Sequence, residues 1–215
     1  MKRYADGARR VEAVAGVDLE IAAGTLVVLE GPSGSGKTTL LGLLGAMIAP
    51  TAGSVAILGE DVTHLRDHHR AALRRAHVGF VFQDLSLIGA MRVLENVLLP
   101  LVPRGGARPD ERARAIALLE RFGLGGERDA RASRLSGGQR QRAAIARALV
   151  TAPEILLLDE PTAHLDGANA GGLVDALCAL RDEGTTIVAA THDARLARDA
   201  RVDRALTMRD GALVP

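Results

Sequence analysis

An apolar strand pattern, a glycine-rich loop and a helical pattern follow one another without interruption between Thr25 and Ile48, and this succession narrows the possible folds of the 215-residue chain most sharply. The loop reads Gly31-Pro32-Ser33-Gly34-Ser35-Gly36-Lys37-Thr38, a G-x-x-x-x-G-K-T pattern. Before it, Thr25-Leu26-Val27-Val28-Leu29 is short, apolar and rich in β-branched residues, as suits a strand buried in a parallel sheet. After it, Thr39 to Ile48 places Leu40, Leu41, Leu43, Leu44 and Met47 at helical spacing. Glycines there let successive backbone N–H groups close around phosphate oxygens, and the helix start adds the positive end of its dipole. In a phosphate-binding loop of this kind Lys37 reaches the β- and γ-phosphates and the Thr38 hydroxyl ligates Mg2+. Composition supports Lys37, because among 27 basic residues only Lys2 and Lys37 are lysines. A compact ammonium fits inside a phosphate-filled loop where a planar guanidinium does not.

The length suits one domain with an inserted subdomain and a substantial core. Net charge is +1, and Tyr4, Phe80, Phe82 and Phe122 are the only aromatics, so neither a basic field nor a stacking platform argues for nucleic acid. The lone Cys178 falls among Leu173, Val174, Leu177 and Leu180, reads as a buried apolar residue and fits a reducing cytoplasm. No signal-peptide pattern is visible, and no apolar run approaches the roughly twenty residues that cross a bilayer. Any membrane-spanning part is therefore expected on another chain.

Along the chain, residues 1–24 read as short strands, with Val11 to Ile21 alternating apolar and polar. Strands are expected at Val55–Gly59, Val78–Phe82, Ile155–Leu158, Thr185–Ala190, Ala205–Met208 and Ala212–Val214. Helices are expected at 65–76, 167–182 and 193–200. Between Asp84 and Val150 strand patterns vanish and helical segments lie near 93–101, 110–122 and 137–150. The expectation is an α/β fold: a mostly parallel sheet core from 1–83 and 151–215, a small antiparallel β subdomain, and an inserted helical subdomain over 84–150.

Two further motifs carry chemistry. Ile155-Leu156-Leu157-Leu158-Asp159-Glu160 is an apolar strand ending in two acids, which are costly to bury without a cation or a proton. After a phosphate-binding loop, the first acid, Asp159, holds Mg2+ through water and the second, Glu160, polarises the attacking water. Leu135-Ser136-Gly137-Gly138-Gln139 opens a helix with a Ser cap and exposed N–H groups, a second anion site. Lying on the inserted lobe, it meets the nucleotide of the first site if two copies pair head to tail. His64, His68, His69 and His77 flank a charged helix and read as surface residues rather than as a metal site.

The loop, Gln83, Leu135–Gln139, the acidic strand end and Thr191-His192-Asp193, in this order, resemble the nucleotide-binding subunit of an ATP-binding cassette transporter, a P-loop NTPase fold. The resemblance covers essentially the whole chain. It implies an ATPase that binds ATP and Mg2+, with Thr39 completing the phosphate-binding set Gly31 to Thr38. It further implies that Gln83 touches Mg2+ and the attacking water, that Glu160 is the general base, that His192 contacts the γ-phosphate and that Asp166 communicates across the dimer. Tyr4 would stack on adenine. Gly42-Leu43-Leu44-Gly45, Gly79–Gln83, Leu94–Leu101 and Met208-Arg209-Asp210-Gly211 resemble the lipoprotein-releasing, macrolide-exporting and cell-division ATPases, which pair with separate permeases of FtsX type. The implied place of work is the cytoplasmic face of a membrane, as an exporter or lipoprotein-release engine. The alternative is an engine that signals mechanically through an FtsX-like partner to an extracytoplasmic enzyme. His164 stands where the subfamily has Asn or a small residue, and Ile88-Gly89-Ala90-Met91 lacks the proline usual there. Only Met1-Lys2-Arg3 precede Tyr4, whereas the family has about ten residues of strand before the ring; these terminal residues are expected to fray and leave Tyr4 mobile.

Overall fold

The structure, a computed structural model, describes residues 1–6, 9–163 and 167–214. The chain opens with an antiparallel hairpin, β1 (Lys2–Asp6) and β2 (Arg9–Val14). β3 (Leu26–Glu30) leads through the glycine-rich loop into α1 (Lys37–Leu44). A short hairpin of β4 (Ala56–Ile57) and β5 (Glu60–Asp61) precedes α2 (Asp67–His77) and β6 (Val78–Val81). Three helices follow: α3 (Val93–Leu98), α4 (Pro109–Arg121) and α5 (Gly137–Leu149). Alternation then resumes with β7 (Ile155–Asp159), α6 (Gly167–Asp182), β8 (Thr186–Thr191), α7 (Ala194–Ala197), β9 (Arg204–Arg209) and β10 (Ala212–Val214).

The main sheet has the order β10-β9-β3-β8-β7-β6. All its pairings are parallel except β9 with β10 at one edge. Side chains alternate across it as the pleat demands. Leu156 and Leu158 of β7 enter one cluster with Val93, Leu119, Ile145 and Leu177 from the helices of one face. Leu157, between them, joins Leu40, Leu41 and Leu43 of α1 on the other. The helices between β6 and β7 thus share a core with the sheet. No helix among the described residues is long and apolar enough to cross a membrane.

Several elements depart from expectation. The fraying expected at the start of the chain does not occur: Tyr4 pairs with Val11, and the Met1 amine donates to the Ala52 carbonyl at 3.0 Å. The Thr51 N–H donates back to the Met1 carbonyl at 3.0 Å and Lys2 Nζ reaches the Ala49 carbonyl at 2.8 Å, so a local hairpin is clamped from its far side. Tyr4 is exposed, with the Lys2 ammonium 5.3 Å from its ring centre. The strand expected over Val55–Gly59 shrinks to two residues, because Leu58 (φ 52°) and Gly59 (φ 81°) turn it back in a two-residue hairpin. The helix expected to run to 101 stops at Leu98, where Pro100 and Pro103 convert 99–104 into a 3-10 turn. Val17, Leu19 and Ile21 are half-buried and Asp18 and Glu20 exposed, yet this strand-patterned stretch joins no ladder among the described residues. His68 and His69 lie against each other on α2, with ring centres 4.0 Å apart, and His77 Nδ1 faces Glu154 at 3.0 Å.

Leu157 is fully buried between sheet and α1. Leu157→Ala is expected to lower stability by about 2–5 kcal/mol, read as a shift in the urea midpoint. Truncating the exposed Val102 should stay within about 0.5 kcal/mol. Equal effects would mean that the sheet–α1 core does not set stability.

Candidate functional site

The loop between β3 and α1 is shaped by backbone approaches that leave no room for a side chain. A Cβ on Gly36 would lie 2.1 Å from the Ala13 carbonyl oxygen, and one on Gly31 would lie 2.2 Å from that of Met208. Gly36 also has φ 102°, which frees it to turn the chain into α1. The Gly211 N–H donates to the Ser35 carbonyl at 3.0 Å, and the Gly31 N–H to the Thr191 carbonyl at 3.3 Å. The loop is therefore backed by β2, β8 and the β9–β10 turn. Pro32, Ser33, Gly34 and Thr38 are exposed at its rim, Thr39 is half-buried, and the Ser35 hydroxyl is buried with no hydrogen-bond partner among the described residues.

Lys37 is buried, and its ammonium donates to the carbonyls of Gly31 at 2.7 Å and Pro32 at 3.0 Å. The Thr38 hydroxyl donates to Asp159 Oδ2 at 2.9 Å, joining segments 121 residues apart. Glu160 follows at φ 51°, in the left-handed region where a non-glycine residue is strained. Its N–H donates to the Ala190 carbonyl at 2.8 Å, and its Oε1 lies 3.9 Å from Lys37 Nζ. Oε2 sits 2.8 Å from His192 Nδ1 and accepts from the His192 N–H at 3.2 Å and the Thr191 hydroxyl at 3.3 Å. Burial pushes the Asp159 carboxyl above its ordinary pKa, with Glu160 adding to the rise and Thr38 and Lys37 opposing it. Downstream, the Arg195 guanidinium holds Asp193 at about 2, fixing the turn after His192.

Gln83 is exposed and lines a cavity of about 550 Å³ together with Phe82, Asp84, Asp159 and Ala163. Thus residues 31–39, Gln83, Asp159, Glu160 and His192 gather at one end of the sheet. Ser136, Gly137, Gly138 and Gln139 do not join them through any hydrogen bond between described residues. Ser136 caps α5 by accepting from the Gln139 N–H at 3.2 Å, while Gln139 Oε1 accepts from the Ser136 N–H at 2.9 Å and its amide reaches Glu127 at 3.1 Å. Tyr4 stands on the β1–β2 hairpin, and Asp166 and His164 lie outside the described residues. Thr191, noted above only as part of the Thr191-His192-Asp193 motif, and Thr162 add hydroxyls to the site. Thr191 is fully buried, binds Glu160 Oε2, accepts from the Asp193 N–H at 2.9 Å and faces the Thr162 hydroxyl at 3.4 Å. The available signal was a hydroxyl at the last buried position of an apolar strand, beside a histidine that drew all the attention.

Chemically, one buried cation faces two buried carboxylates beside an orphaned hydroxyl and a glycine loop. That set is short of positive charge and rich in hard oxygen donors, so it fits a divalent cation at Thr38 and Asp159 and phosphate oxygens over the loop. Asp159→Asn should raise the melting temperature of the free protein at pH 7. The raised native pKa means that the folded state binds a proton more tightly than the unfolded chain, so this residue costs stability above the unfolded value of about 3.9. Each kcal/mol relieved is worth about 2–4 °C. The advantage should fade as pH drops to about 4, and a variant that melts lower at pH 7 would show that Asp159 is stabilising as a charge.

Residues 14–163 match the family described as ABC transporter. The chain is 44% identical over its full length to the lipoprotein-releasing system ATP-binding protein LolD of Gluconobacter oxydans, covering 92% of that protein. It is 43% identical over 99% of its length to the macrolide export ATP-binding/permease protein MacB 1 of Aeromonas hydrophila, of which it spans only 33%. Among solved structures, a dimeric bacterial ABC transporter cassette superposes with a TM-score of 0.91 at 39% identity, covering all of this chain and 94% of the other. The same cassette in a post-hydrolysis state bound to ADP and Pi also gives 0.91, at 38% identity and the same coverage of both chains.

Proposed function

The chain belongs to the ABC transporter family, and from that premise we propose that it hydrolyses MgATP as a head-to-tail dimer and drives a separate membrane permease of FtsX/MacB type, as an exporter or lipoprotein-release engine at the cytoplasmic face. The observation that carries the ATPase reading is the meeting of Thr38 with Asp159 at 2.9 Å and of Lys37 with Glu160 at 3.9 Å, across more than a hundred residues of chain. These four side chains supply the cation, the hydroxyl and the carboxylates that a polyphosphate with its divalent cation would take up. Similarity to a dimeric cassette supports self-association, and the lipoprotein-releasing ATP-binding relative, of which the chain covers 92%, supports a permease on a separate chain, whereas the macrolide export relative is named as ATP-binding and permease protein in one chain about three times as long.

In this reading the N–H groups of Ser33, Gly34 and residues 36–39, at the loop and the start of α1, bind the phosphates, Gly31, Pro32 and Ser35 shape the loop around them, and Lys37 turns its ammonium from its own carbonyls to the β- and γ-phosphate oxygens. Thr38 and Asp159 would hold Mg2+, assisted by Gln83, and the bound ion neutralises charge on the phosphate oxygens. Glu160 is the base that takes the proton of the attacking water. Thr191 and the backbone of His192 hold one of its oxygens, leaving the other toward Lys37. His192 contacts the γ-phosphate, Tyr4 stacks on the adenine and Asp166 serves the dimer contact. The Ser136 oxygen accepts within its own capping box and its O–H stays free to donate, so in this reading Ser136, Gly137, Gly138 and Gln139 offer donors to a phosphate held by a second copy.

Glu160→Gln should lower turnover by about 10²–10⁴ while ATP binding survives, with the variant accumulating as an ATP-bound dimer on gel filtration. Near-normal hydrolysis would remove Glu160 from this role. Lys37→Ala should abolish nucleotide binding by isolated monomers, whereas Ser136→Ala should leave it intact and block hydrolysis. Equal losses of monomer affinity would sink the head-to-tail arrangement.

A further inference from the structure

We propose that Arg147 is a positioning residue that ties the loop carrying Gln83 to helix α5, so that Ser136–Gln139 at the start of the helix and Gln83 move as one body. Arg147 lies in the last turn of α5. Its guanidinium donates to two successive carbonyls of that loop, Leu85 at 2.7 Å and Ser86 at 2.5 Å. Leu85 (φ 61°) and Ser86 (φ 44°) are both in the left-handed region, an unusual state for two adjacent residues with side chains. Such a conformation persists only where its surroundings impose it. Here the planar fork of one arginine meets both carbonyls, a geometry that a lysine cannot reproduce.

The rest of the loop agrees. The Leu85 N–H donates to the Phe82 carbonyl at 2.9 Å, the Ser86 hydroxyl to Asp84 at 2.6 Å, and the Leu85 side chain is buried in the core that contains Ile145. Burial pushes the Arg147 pKa down while the Asp84 charge opposes the fall, so the guanidinium is held at a desolvation cost and not as a loose surface group. Gln83 itself is exposed, and no hydrogen bond to a described residue fixes its amide. Its position over Asp159 is therefore set by the loop, whose later part is held by the Asn96 amide at Ile88 and by Ser133 at Gly89, and whose left-handed turn at Leu85 and Ser86 is held by Arg147. Helix α5 has 13 residues, a rigid strut about 20 Å long. A contact made at Ser136 by a second copy is delivered by that strut to the residue that faces the metal-side acid.

This inference rests on the ATPase reading above, and its test separates the two. Arg147→Ala, Arg147→Lys, Gln83→Ala and the Arg147→Ala/Gln83→Ala double variant are compared with the parent protein. The expected result for Arg147→Ala is a fluorescent ATP analogue bound by monomers within about twofold of the parent, and a kcat lowered about 10- to 100-fold at nearly unchanged KM. Arg147→Lys should recover only part of the loss, and the double variant should be no slower than the slower single one. Amides of 83–87 should exchange faster in Arg147→Ala while those of 31–38 keep their protection. A kcat within twofold of the parent, multiplicative effects in the double variant, or binding, melting temperature and kcat falling together would overturn the proposal. Should the parent protein not hydrolyse ATP, the ATPase reading fails, and unchanged exchange at 83–87 would then refute the tie by itself.

Discussion

Everything at the site depends on β3 being hydrogen-bonded along both edges in parallel register. Leu26 to Glu30 face Ile187 to Thr191 on one side, and Val27 to Glu30 face Arg204 to Thr207 on the other. β7 continues the sheet with Asp159 opposite Ala190. Strands in parallel register end together, so Glu30, Thr191 and Asp159 finish at nearly one level. The loops that leave those ends have no choice but to converge, which brings Lys37, Glu160 and His192 within reach of one another. A register slip of one residue in β3 would exchange Leu26 and Val28 with Leu29 between the two packed faces and break the convergence together with the core.

Convergence creates an electrostatic problem. Asp159 and Glu160 are neighbours, both buried, with Lys37 the nearest cation to the pair. The protein manages Glu160 locally, by directing the Thr191 hydroxyl and the His192 N–H to one oxygen, with the His192 Nδ1 2.8 Å away, and by accepting a left-handed backbone at that residue. Asp159 receives the Thr38 hydroxyl and little else, which is why burial dominates its titration. The unequal treatment fits the unequal tasks proposed above, Glu160 as a base with one oxygen left available and Asp159 as an acid that would hold a cation.

What could be read in the sequence follows from how each feature is encoded. The α/β alternation was legible because buried parallel strands are short apolar runs, and α6 was delimited at 167–182 from pattern alone. The loop, Asp159 and Glu160 announce themselves by residue type and order. Contacts made through the backbone do not: nothing about Ala13 or Met208 reveals that their carbonyls press against Gly36 and Gly31. Thr191 was hidden because its hydroxyl matters only once Glu160 is folded against it. The hairpin of β1 and β2 was misread as a fraying end because its far-side clamp comes from Ala49, Thr51 and Ala52, distant in sequence.

The backing of the phosphate loop also bears on when a newly made chain becomes competent. The glycine pattern is synthesised within the first forty residues, but the carbonyl behind Gly31 belongs to Met208 and the N–H that holds Ser35 belongs to Gly211. β9, which flanks β3 on its open side, contains Met208 and ends just before Gly211. A ribosome-bound chain therefore carries the glycine loop, Gln83, Leu135–Gln139 and the acidic strand end before it carries a formed site, and β3 is left with a bare edge in the interval. Nucleotide can reward folding only once Met208 to Gly211 have been made, which makes the loop a checkpoint on completion of the sheet as well as a binding element.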